Sequence, residues 1–175
     1  IQQTPLHKVV LARNTTFRCP ENETFDPIGT AYRLRDHYPS CAAFAIGQAS
    51  GSTFVGATPE PLVERVDNQA RTVALAGTKA RAASESDDLE QVNALVSSKK
   101  ERLEHELVVR ALEGAVKDVS LVVDVPAEPT IRTLRHLHHL ETPLNLTLKP
   151  GISILDLVDR LHPSPAIGGQ PRHLS

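Results

Sequence analysis

The apolar pattern of this 175-residue chain changes its period once, and that change limits the fold more than any other feature. In the first half, short apolar runs of strand length alternate with turn sequences. We predict strands at residues 8–12, 41–47, 53–56, 61–66 and 70–75. Turn residues at 48–52 and 67–69 join the last four strands as two hairpins. Successive strands joined by short turns predict an antiparallel sheet.

From residue 86 the period becomes helical. Residues 86–88 can cap a helix that runs to about Ser97, and a second helix is predicted from 98 to about 119. Its apolar residues recur at three- and four-residue steps: Leu103, Leu107, Val108, Ala111, Leu112 and Ala115. Further strands are predicted at 121–125, 131–140 and 144–148, and a last helix at 153–161. Strands followed by mixed helices and strands indicate an α+β fold.

The end of the chain cannot continue a regular element. Residues 161–171 contain three prolines and the pair Gly168-Gly169. Proline removes a backbone donor and interrupts helices and central strands, while glycine lets the backbone approach a ligand closely. We therefore predict a rigid loop that ends beside a ligand.

Composition excludes several classes of partner. The net charge of −2 gives no electrostatic reason to bind nucleic acid or an anionic membrane surface, and the 3% of aromatic residues is too few for base-stacking platforms. No apolar run is long enough to span a bilayer. Cys19 and Cys41 have no metal-type spacing, so we read them as free thiols of a cytoplasmic protein. Because the chain begins with Ile1 and contains no methionine, we expect it to be a slice of a longer product.

Three charged residues are candidates for acid–base or metal chemistry. Lys8 opens an apolar run, where it is either an exposed residue that protects a strand edge or a buried amine available as a general base. Glu60 ends a turn and is by itself an ordinary surface carboxylate. Glu104 lies on the apolar stripe of the second helix, where a carboxylate needs a salt bridge or a metal ion such as Mg²⁺.

Two further groups could bind ligands. On a strand, His136 and His138 would share one face, and a third ligand would make them a zinc site of a hydrolase. His139 would face the other way, as a core histidine or a pocket residue. Gly77-Thr78 combines a turn-forming glycine with a hydroxyl, which suits a carboxylate or phosphate.

The order of these residues resembles the chorismate-utilising enzymes, and among them the isochorismate synthases. The resemblance covers most of the chain between Lys8 and Pro171. The matching segments are Lys8-Val9-Val10-Leu11-Ala12-Arg13, Phe54-Val55-Gly56-Ala57-Thr58-Pro59-Glu60, Ala74-Leu75-Ala76-Gly77-Thr78, Ser98-Lys99 through Glu104-His105-Glu106-Leu107-Val108, His139-Leu140-Glu141-Thr142 and the loop from His162.

The resemblance implies antiparallel sheets sandwiched by helices, here incomplete at both ends, with chorismate as the substrate. It implies that Lys8 is the general base that activates a water for attack on C2, and that Glu60 is the general acid for the leaving C4 hydroxyl. Glu104 matches a ligand of a Mg²⁺ cofactor. The remaining matches concern the substrate: Gly77 and Thr78 correspond to a carboxylate cradle, and His139 and Thr142 to pocket residues.

The resemblance also separates the isochorismate synthases from other enzymes of the family. Lys8 favours water chemistry over the ammonia chemistry of anthranilate synthases, which typically carry glutamine there, and Ala76 stands where aminodeoxychorismate synthases often have a lysine nucleophile. A salicylate synthase, which goes on to eliminate pyruvate, stays open. Residues 1–175 are expected to form one chorismate-binding domain without its N-terminal segment and C-terminal third. We therefore expect the chain as given to be an isochorismate synthase that catalyses poorly, because half of its metal site is missing, and a non-catalytic fragment stays open as an alternative. A monomer is expected.

Overall fold

The computed structural model describes residues 6–171. Ile1, on which the expectation of a missing N-terminal segment rests, lies outside this range. The contacts divide the chain into two compact units, one formed by Leu11–Pro61 and the other by the residues on both sides of that segment.

The Leu11–Pro61 unit contains one helix and one hairpin. Helix α1 (Pro27–His37) begins at Asp26, whose carboxylate accepts a hydrogen bond from the Gly29 N–H. Strands β1 (Ala42–Gly47) and β2 (Thr53–Thr58) pair in antiparallel register, which confirms the predicted hairpin. Gly56 faces the Phe44 ring so closely that a Cβ atom there would lie 2.6 Å from Phe44 Cζ. A larger residue at this position would therefore have to displace the Phe44 ring.

The larger unit is built on an antiparallel five-stranded sheet. Its strands are β3 (Glu64–Val66), β4 (Gln69–Ala80), β5 (Ser120–Asp124), β6 (Thr130–Thr133) and β7 (Leu137–Leu148). The order is β3-β4-β7-β5, and β6 pairs with the first part of β7. The long β4–β7 ladder is the centre of the unit.

The helices of this unit start at serine caps. Helix α2 (Glu85–Ser97) is capped by Ser84, and α3 (Lys99–Val116) by Ser98. Helix α4 (Ile154–Leu161) begins with a capping box between Ser153 and Asp156. A short helix, α5 (Pro165–Gly168), interrupts the predicted C-terminal loop. Serine hydroxyls satisfy first-turn N–H groups that have no partner within the helix.

The core lies between the β4–β7 ladder and the helices. Alternate residues of β7 are buried, as expected for a strand with one face on a core. Helices α3 and α4 supply the opposite side. The fully buried leucines and valines of the described residues are Leu95, Val108, Val116, Leu140, Leu144, Leu146, Leu148, Leu157 and Leu161. The mixed architecture with antiparallel sheets confirms the predicted α+β class.

Two strand predictions are wrong. Residues 8–12 form no strand, and only Lys8 makes a single bridge, to Gln170. The predicted strand at 131–140 is instead β6, a turn and the start of β7, which continues through Pro143. Pro143 pairs with Val73 on one side, and on the other side it falls between the residues paired with β6 and those paired with β5. Such a gap accommodates a residue without a backbone N–H inside a central strand.

Among the described residues, none of the helices is both long and apolar enough to cross a bilayer.

Candidate active site

A β-bulge at Gly77 brings Thr78 and His139 to the same face of the sheet. The register with β7 shifts between Ala76, which pairs with Leu140, and Thr78, which pairs with His139. Gly77 has φ 78°, and a Cβ atom there would lie 3.1 Å from the Glu101 carbonyl oxygen. Only glycine adopts this conformation readily, so the bulge explains the Gly-Thr pair.

Thr78 connects β4 to both β7 and α3. Its hydroxyl lies 2.9 Å from His139 Nδ1, and its backbone N–H donates to Glu101 Oε2 over 3.1 Å. Gly77 and Thr78, predicted as a carboxylate cradle, form a bulge with a hydroxyl beside it, and the Glu101 carboxylate accepts the hydrogen bond of the Thr78 backbone N–H.

Burial lowers the pKa of His139 below its ordinary value. A hydrogen bond to the Gly77 backbone opposes this shift, and the nearby His138 adds to it. Near neutral pH the imidazole is therefore uncharged, and one ring nitrogen can accept a hydrogen bond.

Glu101 is a site residue that the sequence analysis missed. Burial raises the pKa of its carboxyl group, but hydrogen bonds from Lys100 Nζ and the Thr78 N–H outweigh that effect and lower the pKa overall. A usable signal was present in the sequence. Glu101 precedes Glu104 by three residues, and this spacing places two side chains on the same side of a helix.

Lys8 and Glu104, predicted as base and metal ligand, are in direct contact. Lys8 Nζ lies 3.3 Å from Glu104 Oε1, and the lysine side chain is 9% exposed. The sequence is compatible with Lys8 as an exposed residue at a strand edge or as a buried amine, and in the structure the Lys8 side chain is buried.

The C-terminal loop holds the backbone of Lys8. The Gln170 carbonyl accepts hydrogen bonds from the N–H groups of His7 and Lys8 over 2.8 and 3.0 Å, and the Gln170 N–H donates to the Lys8 carbonyl over 2.9 Å. The proline- and glycine-containing segment thus positions a predicted catalytic residue.

Glu60 belongs to the Leu11–Pro61 unit, so it is described there alone. Its side chain is partly buried, and its backbone N–H donates to the Thr58 hydroxyl over 3.2 Å. The turn that follows β2 therefore has a defined conformation, as the Thr58-Pro59-Glu60 sequence predicts.

Thr142 lies on the opposite face of β7 from His139. Its hydroxyl is buried and lies 2.7 Å from His105 Nε2, while His105 Nδ1 donates to the Ala76 carbonyl over 3.1 Å. Burial lowers the pKa of His105. The structure therefore does not bring Thr142 together with Thr78 and His139, although the sequence predicted all three as substrate residues.

The predicted histidine pair does not form. His136 lies in the turn before β7, while His138 is in the strand, so the two do not share a strand face. The buried His138 bridges Thr133 and Asp88, with Nδ1 3.0 Å from the hydroxyl and Nε2 2.9 Å from the carboxylate. Within residues 6–171, no group of three histidine, cysteine or acidic side chains could hold a metal ion. The structure gives the zinc alternative no support.

Glu104 fits a Mg²⁺ ion by the chemistry of its donor atoms. Its carboxylate is one-third exposed, and Mg²⁺ binds through one or two carboxylates while it keeps several waters. Glu101 lies one turn earlier on α3, but its Oε1 accepts a hydrogen bond from Lys100 Nζ and its Oε2 accepts one from the Thr78 N–H.

Comparison with known proteins decides the family. The family model described as "Chorismate binding enzyme" matches residues 1–175. The chain belongs to the chorismate-binding enzyme family.

Individual chorismate-binding relatives agree with this assignment. The chain is 37% identical to the salicylate biosynthesis isochorismate synthase of Pseudomonas aeruginosa over 172 residues, which is 98% of this chain and 35% of that protein. It is 34% identical to the isochorismate synthase MenF of Bacillus subtilis, over 98% of this chain and 36% of that protein. The chain thus spans about a third of the length of these curated relatives.

The fold agrees as well. The solved structure of MenF, the menaquinone-specific isochorismate synthase of Escherichia coli, superimposes on this chain with a TM-score of 0.78 and 26% sequence identity. The superposition covers 85% of this chain and 34% of MenF.

Proposed function

We propose that this chain carries catalytic and binding residues of an isochorismate synthase, which converts chorismate to isochorismate. The observation that carries the proposal is the Lys8–Glu104 contact, in which a buried amine fixed by the C-terminal loop lies beside a partly exposed carboxylate. The relatives named as isochorismate synthases supply the reaction.

In the proposed reaction, Lys8 removes a proton from a water as its oxygen bonds to C2 of chorismate. The ring double bonds shift, and the C4 hydroxyl leaves with a proton from Glu60, so one water is added and one is released. Lys8 must therefore start uncharged and Glu60 protonated, the usual division of labour between a general base and a general acid.

Glu104 would hold a Mg²⁺ ion, with Glu101 near it, and the metal would neutralise a substrate carboxylate. Thr78 and His139 would line the pocket. The uncharged His139 can hydrogen-bond to a hydroxyl or ether oxygen of the substrate without adding charge.

The test is incubation of the protein with chorismate and Mg²⁺, with the products separated by HPLC. We expect isochorismate from the wild type and none from Lys8→Gln. Lys117→Gln, at the end of α3 and distant in sequence from the site, is the matched control and should keep full activity. Salicylate with pyruvate would replace the proposal by a salicylate synthase, and no product from the wild type would contradict catalysis by this chain.

A further inference from the structure

A cleft beside α3 is not used by the proposed reaction. It has a volume of about 260 Å³ and lies between α3 and the segment that connects β5 to β6. The lining residues used below are Arg102, His105, Val109, Pro126, Pro129 and Thr142. We refer to it as the α3 cleft.

The α3 cleft is separate from the candidate active site. Arg102 and Val109 lie on one stripe of α3, whereas Glu101 and Glu104 lie on another, because a helix turns by about 100° per residue. Thr142, at the floor of the cleft, lies on the face of β7 opposite to His139. A molecule in the cleft would therefore be separated from Thr78 and His139 by the sheet.

Arg102 offers an exchangeable site for a carboxylate. Its guanidinium donates to Glu128 over 2.7 Å, and the two side chains are 42% and 73% exposed. Exposed ion pairs contribute little net free energy, so a carboxylate from solution can take the place of Glu128. A planar guanidinium also binds a carboxylate through two parallel hydrogen bonds. The acidic Glu106, which also lines the cleft, is paired with Arg110.

The floor of the cleft offers a hydrogen-bond acceptor. The Thr142 oxygen makes one hydrogen bond, to His105 Nε2. A hydroxyl oxygen has two lone pairs and one proton, so at least one acceptor position remains whichever of the two groups donates. A ligand with a hydroxyl group can satisfy it.

The walls between these two polar ends are apolar. Val109, Pro126 and Pro129 present aliphatic surface, which suits the face of a six-membered ring. We propose that the α3 cleft binds a small cyclic hydroxycarboxylate, with its carboxylate on Arg102, its ring on the aliphatic walls and its hydroxyl donating to Thr142.

The test is a titration of the full chain, labelled with ¹⁵N, with 3-hydroxybenzoate and with benzoate, followed by NMR. The meta isomer is chosen because its hydroxyl cannot bond to its own carboxylate. We expect amide shifts at residues 102–109 and at Ala127 and Glu128. Benzoate should bind about threefold to tenfold more weakly than 3-hydroxybenzoate, since it lacks the hydrogen bond to Thr142. This comparison uses the wild-type protein and does not depend on a variant that must fold.

Two variants and one control sharpen the result. Arg102→Ala should weaken the binding of 3-hydroxybenzoate by about twofold to fivefold, because it removes the ion pair with the carboxylate, and that pair is partly exposed to solvent. Thr142→Val should bind 3-hydroxybenzoate and benzoate with equal affinity, because it lacks the hydroxyl that accepts the ligand's hydrogen bond. Arg160→Ala is the matched control, because Arg160 is a similarly exposed arginine paired with one carboxylate, that of Asp118. Equal affinity of the wild type and Arg102→Ala, or shifts centred on Lys8, Thr78 and His139, would overturn the proposal.

Discussion

Lys8 Nζ lies 3.3 Å from Glu104 Oε1, so the predicted base and the predicted metal ligand are in direct contact. The two residues are far apart in sequence, and the C-terminal loop joins them by fixing the backbone of Lys8 through Gln170. A substitution at either residue will therefore alter the surroundings of the other, and each needs its own assay.

Lys8→Ala should lower the turnover of chorismate by about 10²- to 10⁴-fold, because it removes the group proposed to accept the proton of the attacking water. Chorismate binding should remain, since the other predicted substrate residues are untouched. Steady-state kinetics and equilibrium binding of chorismate separate the two effects. Normal turnover by this variant would exclude Lys8 as the base.

Glu104→Gln should weaken Mg²⁺ binding, because it replaces an anionic ligand by a neutral amide while it keeps the shape of the side chain. Glu106→Gln is the control, since Glu106 is on the same helix but pairs with Arg110. Calorimetric titration of each protein with MgCl₂ gives the affinity independently of catalysis. Equal Mg²⁺ affinity of the two variants would remove Glu104 from the metal site.

Gly77→Ala should destabilise the protein by about 1–3 kcal/mol, because alanine is strained at a φ of 78°. The new methyl group would also approach the Glu101 carbonyl oxygen to 3.1 Å. Gly114→Ala is the control, because Gly114 lies in α3 with no neighbour within 4 Å of a Cβ atom, and alanine favours a helix. Urea denaturation should show opposite changes in the free energy of unfolding, and a neutral Gly77→Ala would show that the bulge is not required.

Much of the fold could be predicted because the patterns that encode it are local. The apolar period and the turn residues predict the two hairpins. The helical period and the serine caps predict α3 and α4. Residues 8–12 were assigned to a strand on their β-branched composition, but strand formation depends on a partner, and only Lys8 finds one. Pro143 divided β7 in the prediction because the gap between β6 and β5 that accommodates it exists only in the assembled sheet.

The residues of the candidate site come from the family resemblance, and their roles stay a prediction. Resemblance to the family selected Lys8, Thr78, Glu104 and His139, which the structure arranges around β4, β7 and α3. It could not predict that Thr142 faces α3 or that Glu101 occupies the Thr78 N–H, because both depend on the bulge and on the helix packed beside it.

Acid should destabilise the protein through Asp88, which joins α2 to the ends of β4 and β7. Hydrogen bonds from Arg81 and His138 hold the pKa of the Asp88 carboxyl well below its usual range, although burial opposes them. The unfolded chain therefore binds a proton at higher pH than the folded chain does. The stabilisation is fully present above the ordinary carboxyl pKa of about 4 and is lost as the pH falls toward the folded-state value.

Asp88→Asn removes this titration, so its free energy of unfolding should depend less on pH than that of the wild type between pH 4 and 2. Asp87→Asn, at the neighbouring position in the first turn of α2, is the control and should keep the wild-type pH dependence. Urea unfolding of the three proteins at several pH values in this window measures the slopes. Parallel slopes for the wild type and Asp88→Asn would mean that the Arg81–Asp88–His138 network does not contribute to acid stability.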